Sequence, residues 1–173
     1  SDLVHQKALS LFQEYCIIGG MPAVVKLWAE THDISECMEL QQDLLMTIRD
    51  DFNKYRKKIE PETMRHTMES GPRQLGGKFV YSHIDKDARQ AVVKEAARML
   101  CNARIFRKIC HTAANGIPLG AEIKDNIFKI FMLDTGLAVK MLGLKPFDMK
   151  NIDELVWSNK GAIAEQVVTQ LIF

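Results

Sequence analysis

The run Phe128-Lys129-Ile130-Phe131-Met132-Leu133-Asp134-Thr135-Gly136-Leu137 constrains the fold more than any other part of this chain. Its apolar, β-branched and aromatic first half reads as a strand, Ile127 to Leu133. The strand ends at Asp134, a residue suited to shape a turn and to cap the helix-like segment Ala138 to Leu142 through its carboxylate. Upstream, Ile105 to Thr112 reads as a second strand, and Ala114-Asn115-Gly116 supplies turn chemistry because Asn-Gly tolerates positive φ. A β-hairpin followed at once by a helix is therefore fixed near residues 105–142.

The segments before it are helical. Leu3, Ala8, Leu11, Phe12 and Tyr15 recur at helical spacing, so residues 3–17 read as an amphipathic helix that Gly19-Gly20 ends. Pro22 suits the first turn of a second helix, to about Glu30. Asp33 and Glu36 form a capping-box pattern that opens a long helix to Lys58. Glu60-Pro61 starts a fourth helix, interrupted at Gly71-Pro72. Lys78-Phe79-Val80-Tyr81-Ser82 reads as a short strand, and Asp85 to Asn102 as a helix with Val92, Ala96, Met99, Leu100 and Ala103 on its apolar face. Helices followed by a β-hairpin follow the order of a winged-helix domain. A turn-rich connector, Gly143 to Asp153, leads to a last helix from Asn159. The fold class expected is mainly α with a small β-hairpin: a helical segment, a winged-helix-like domain, then the first helix of a truncated α/β domain.

Composition narrows the function classes. The charge is +1, from 23 basic and 22 acidic residues, so contact with nucleic acid rests on a local patch rather than on a global field. Cys16, Cys37, Cys101 and Cys110 show no paired spacing and read as reduced thiols of a cytoplasmic protein. No apolar run approaches the about 20 residues that span a bilayer, so no membrane partner is expected.

Candidate sites are few. Lys94 and Arg98 lie one turn apart on the candidate recognition helix. Lys86 and Arg89 stand near its start, and Arg104, Arg107 and Lys108 begin the first hairpin strand. Lys86, Arg89, Lys94, Arg98, Arg107 and Lys108 thus form a candidate DNA- or partner-binding patch, diluted by Asp87 and Glu95. Arg56-Lys57-Lys58 reads as a helix C-terminus that complements its dipole. In Gly71-Pro72-Arg73-Gln74-Leu75-Gly76-Gly77-Lys78-Phe79 the lysine is displaced by one place, and Phe79 replaces the hydroxyl that a phosphate-binding loop needs. It reads as a turn. Cys110-His111 lacks a second pair at zinc spacing, so no metal site is expected. Glu165, among Ala162, Ile163, Ala164, Val167 and Val168, is the one carboxylate whose neighbours suggest partial burial.

Several short signatures occur in order: Gly19-Gly20-Met21-Pro22, Asp50-Asp51 with Lys54-Tyr55, Pro72-Arg73-Gln74-Leu75, Pro118-Leu119, Asp134-Thr135-Gly136-Leu137 and Gly161 to Glu165. Together they resemble the DUF4143 region that follows the ATP-hydrolysing core in prokaryotic AAA-type ATPases. The resemblance implies that 1–58 is a helical segment linking to an absent ATPase core, 59–143 a winged-helix-like domain, and 144–173 the truncated start of a restriction-nuclease-like domain. It also implies ATP and Mg²⁺ for the parent protein, and no cofactor and no catalysis in this stretch; the helical start from Leu3 and the apolar run Val167 to Phe173 read as ends cut from a longer chain. Glu165 would become catalytic only in the full-length protein. The function expected on this basis is a non-catalytic region whose winged helix contacts DNA or a protein partner. The alternatives are an interaction module packing on the ATPase core, or part of a nuclease completed downstream.

Overall fold

The computed structural model describes residues 2–85, 88–143 and 160–172. The described residues are mainly helical, with one two-stranded antiparallel hairpin, as the sequence leads one to expect. The chain divides into two compact units, one built from residues 1–53 with 134–173 and the other from residues 54–133.

The first unit holds α1 (Asp2–Ile18), α2 (Pro22–Thr31), α3 (Ile34–Asp51), α6 (Thr135–Met141) and α7 (Lys160–Ile172). Gly19, at φ +73°, ends α1 in the left-handed conformation that costs glycine least. Pro22 stands at the start of α2, and Asp33 caps α3 by accepting from the backbone N–H groups of Ser35 and Glu36. Cys16, Ile17, Met38, Val139, Ile163 and Val167 form one buried cluster, and Ile18, Val24 and Cys37 a second.

A buried polar knot joins these helices. The Asp134 carboxylate is 1% exposed and caps α6 by accepting from Leu137 N–H at 3.0 Å. It also accepts from Gly20 N–H at 2.6 Å and from Gln170 Nε2 at 3.0 Å. Gln170 Oε1 in turn accepts from Thr135 N–H at 2.7 Å. Beside it, Gln41 Nε2 donates to the last carbonyls of α1, Ile17 O at 2.7 Å and Ile18 O at 3.2 Å. Gly136 makes this approach possible: a Cβ there would stand 2.6 Å from Gln41 Nε2 and 2.7 Å from Ile18 O.

The second unit holds α4 (Pro61–Arg73), α5 (Gln90–Asn102), β1 (Phe106–Thr112) and β2 (Ile123–Met132). Met64 and Met68 of α4, Val93, Ala96, Ala97 and Leu100 of α5, and Phe106, Phe128, Ile130 and Met132 of the hairpin are buried. Residues 78–80 run extended beside β2, where Phe79 N–H donates to Phe128 O at 2.9 Å. The Gln74 amide fixes Val80 from the other side, accepting from its N–H at 2.7 Å and donating to its carbonyl at 3.3 Å. That single amide does the work of a neighbouring strand.

Several expectations are corrected. Residues 3–17 are helical, but Leu3 and Leu11 are 82% and 55% exposed, because only the last turn of α1, Cys16–Ile18, is buried. The α3 helix stops at Asp51 and tightens into a 3₁₀ turn, Phe52–Tyr55. Arg56-Lys57-Lys58 therefore occupy a turn, not a helix end, and deliver buried Ile59 to the start of α4. Gly71-Pro72 lies inside α4: a Cβ on Gly71 would stand only 2.6 Å from the Phe106 ring, so glycine is what lets that ring pack there, and Pro72 falls in the last turn, where one lost backbone bond is tolerated. The α5 helix begins at Gln90, and its buried face is Val93, Ala96, Ala97 and Leu100, turned from the expected face so that Val92 is exposed. Lys78–Ser82 makes one backbone bond to β2 and then enters a 3₁₀ turn rather than a strand. Helix α6, expected within the winged-helix segment, belongs to the first unit because Asp134 binds Gly20 and Gln170. The 144–153 part of the connector lies outside the described residues.

Asp134→Ala strips three N–H donors of their acceptor, and charge-assisted bonds of this kind contribute about 1.5–3 kcal/mol each, offset by relief of the buried charge. A net loss of about 3 kcal/mol is expected in urea unfolding, and Gly136→Ala should cost about 2 kcal/mol by overpacking. Burial pushes the Cys16 thiol up from its ordinary 9 to about 11 and raises Cys37 and Tyr15 as well. The unfolded chain therefore ionises first, so stability present below about pH 9 should drain away as pH rises towards 11. A urea midpoint unchanged over that window would contradict the burial.

Candidate functional site

Sequence positions that look dispersed converge at the mouth of the second unit. The extended residues 78–80, the 3₁₀ turn Tyr81–His83, the first turns of α5 and the middle of β2 enclose a groove of about 490 Å³. Its apolar wall is an aromatic cluster. Phe79 meets Phe128 with ring centroids 5.8 Å apart and Tyr81 at 5.6 Å, and Tyr81 stands 5.7 Å from Phe128. Phe79 and Phe128 are buried, which leaves half-buried Tyr81 as the ring on the groove surface.

The polar side of the groove comes from a break in the hairpin. Cys110 pairs with Phe128 but the next residue, His111, pairs with Lys124, so Asp125, Asn126 and Ile127 bulge out of β2. A bulge re-aims side chains, and here it presents Asp125 and Asn126 to the groove. Asp125 also accepts from the Cys110 thiol at 3.8 Å. Lys78 and Lys94 stand on the remaining sides, with Gln90 and Ser82.

Of the expected patch, Lys94 lies in the groove with its ammonium 5.7 Å from the Tyr81 ring centroid. Lys108 extends from β1 over the outer part of the same cluster, 4.6 Å from the Phe128 centroid. Both cations are held by ring faces, an attraction of about 0.5–1 kcal/mol at exposed sites that leaves the charge available. Arg89 is exposed at the N-cap of α5. Arg98 differs: its Nε donates to Glu95 Oε2 at 2.7 Å and a terminal N–H to Glu95 Oε1, a forked pair on the helix surface. The pairing raises the guanidinium pKa and lowers that of Glu95. Arg98 is therefore a neutralised member of the patch. Arg107 is half-buried in β1, and Lys86 lies outside the described residues. Gln74–Gly76 form a turn, as expected, and Lys78 beyond them faces the groove.

Glu165 is half-buried on α7, but the buried polar residues of that helix are Gln166 and Thr169, and the one reaching the polar knot is Gln170. The groove residues that sequence reasoning missed include Lys78, Tyr81, Gln90, Asp125, Asn126 and Phe128. Their signal was present in the alternation of Phe79 and Tyr81, but only the bulge brings Asn126 to them. Burial also raises the Tyr81 phenol above its ordinary 10, with a smaller contribution from Cys101. Ultraviolet titration should show a phenolate component ionising above pH 10 that Tyr81→Phe reduces to the share of Tyr15 and that Tyr81→Phe with Tyr15→Phe removes. A high-pH component of unchanged amplitude in Tyr81→Phe would place Tyr81 in water instead.

No curated protein and no solved structure gives a match. A family model does match, over residues 9–148, and it is neither that of the DUF4143 region nor that of an AAA-type ATPase. The likeness drawn from Gly19-Gly20-Met21-Pro22 and Asp134-Thr135-Gly136-Leu137 is thereby overturned. The absent ATPase core, its ATP and Mg²⁺, and a nuclease role for Glu165 lose the support they drew from it. The matching model is described as Domain of unknown function (DUF8612), and since it spans most of the chain, the chain belongs to that family.

Proposed function

We propose that residues 54–133 form a winged-helix-like binding module that contacts DNA through the exposed side of α5 and the hairpin. The observation that carries this reading is the pair of exposed lysines, Lys94 on α5 and Lys108 on β1, each with its ammonium over an aromatic ring. The order of elements supports it. Helix α4, an extended stretch bonded to β2, a 3₁₀ turn, helix α5 and a two-stranded hairpin follow one another as in a winged-helix domain. In that plan α5 is the recognition helix and β1–β2 the wing. Exposed Arg89 at the start of α5 extends the same face.

The chemistry is one of binding. Lysine ammonium groups neutralise phosphates as point charges and release counterions, which gives affinity without sequence readout. The overall charge of +1 means that affinity comes from this local face and is strongly salt-dependent. Free thiols at Cys16, Cys37, Cys101 and Cys110 suit a reducing, cytoplasmic setting, and among the described residues no helix is long and apolar enough to cross a membrane.

Fluorescence anisotropy with a short labelled duplex tests the proposal. Binding should weaken as salt rises, with a log–log slope near 0.9 per phosphate contact. Lys94→Glu with Lys108→Glu should reduce affinity by about tenfold or more and lower the slope by about 2. Arg98→Ala should change little, because Glu95 already holds the guanidinium. Binding that ignores salt, or that survives the double charge reversal, would refute the reading.

A further inference from the structure

Of the groove between α5 and the β2 bulge only Lys94 serves the proposed contact with duplex phosphates, and the chemistry of the rest is that of a different ligand. Its volume of about 490 Å³ lies within the about 300–1,000 Å³ of small-ligand sites. Three features stand at its sides. Half-buried Tyr81, backed by buried Phe79 and Phe128, supplies a rigid ring. Lys78 and Lys94 supply two cations. Asn126, Asp125 and Gln90 supply amide and carboxylate groups able both to donate and to accept.

We infer that this groove is a nucleotide site, which takes one unpaired nucleotide with its base against Tyr81, its base edge towards Asn126 and Asp125, and its phosphate towards Lys78 and Lys94. Each part of the ligand meets a matching group. A planar heterocycle prefers an aromatic wall to an aliphatic one, and stacking on a tyrosine is tolerant of base identity. The 5.7 Å separation of the Lys94 ammonium from the Tyr81 centroid is near the outer limit of a cation–π contact, so the lysine can turn to a phosphate at little cost. Asp125 argues against a simple polyanion such as free phosphate, because one carboxylate offsets one of the two lysines. It suits a ligand that carries amino or imino donors as well as a phosphate. The bulge gives the site a structural cause, since a regular ladder through residues 124–128 would pair Asp125 and Asn126 across the hairpin instead of releasing them.

Such a nucleotide has two sources, a free mononucleotide or an unpaired nucleotide at the end of a DNA strand. The proposed DNA contact of α5 and the hairpin favours the second. The inference rests on that reading for the source of the nucleotide, and on the groove alone for its chemistry.

The test uses the full 173-residue chain. Anisotropy compares a blunt duplex with the same duplex bearing a few unpaired nucleotides, and calorimetry measures adenosine monophosphate directly. The overhang should bind about tenfold more tightly than the blunt end, the order of one base–aromatic stack. Lys78→Ala with Asn126→Ala, both at exposed positions and so safe for folding, should bring the ratio of the two affinities close to unity. Tyr81→Ala should do the same, with circular dichroism reporting whether the aromatic cluster survives. Equal affinity for blunt and overhang DNA, or a preference that outlives Lys78→Ala with Asn126→Ala, overturns strand-end capture and leaves duplex binding standing. No binding to any DNA, with heat from adenosine monophosphate that the double variant removes, overturns the DNA reading and keeps the groove as a site for the free nucleotide. Absence of both overturns both.

Discussion

One buried carboxylate organises the first unit. Asp134 is removed from water almost completely, a transfer that costs several kcal/mol for an ion unless its lone pairs are met by donors. Both of its oxygens are met, by Gly20 N–H and Gln170 Nε2 on one and by Leu137 N–H on the other. The donors come from the loop after α1, from α7 and from α6. Each donor therefore ties a separate helix connection to the same anion, and the geometry of all three is set together. Gly19 and Gly136 are glycines for this reason, since a Cβ at either would collide with the knot.

The local half of this arrangement was legible in the sequence and the distant half was not. An Asp before Thr-Gly-Leu after a strand announces a helix cap, and Asp134 is one. Gly19 after a helical stretch announces a left-handed C-terminus, and its φ is +73°. Both signals depend only on near neighbours. Gln41 and Gln170 carry no such signal, because a glutamine inside a helix has the same local propensity whether it faces water or bonds a backbone 23 or 35 residues away. The same limit explains α5. Helical spacing located Ala96 and Leu100 but not the full axis rotation, which is set by what packs on it, and Val93 and Ala97 join them on the buried face in place of Val92 and Ala103.

The family signatures teach a related lesson. Gly19-Gly20-Met21-Pro22 and Asp134-Thr135-Gly136-Leu137 face each other and are accounted for by backbone geometry and the bonds of one carboxylate. Short motifs of this kind report a way of joining helices. They do not report an activity, and an ATPase context inferred from them did not survive the family match. The groove of the second unit was less legible for the opposite reason. Its aromatic residues are plain in the sequence, but Asp125-Asn126, poor strand formers, read as the end of the strand, and nothing local shows that pairing resumes at Lys124 beyond a three-residue bulge.

The two units also differ in how they use the chain. The second is a single contiguous stretch, 54–133, whereas the first needs residues from both sides of it. During synthesis the second unit has all its contact partners as soon as Leu133 has left the ribosome. The first cannot close its polar knot until Gln170 has followed, so Asp134 and Thr135 wait for a residue made some 36 positions after Asp134. The growing chain thus meets a built-in order of folding, with the hairpin unit complete while the helices on either side of it are still unjoined.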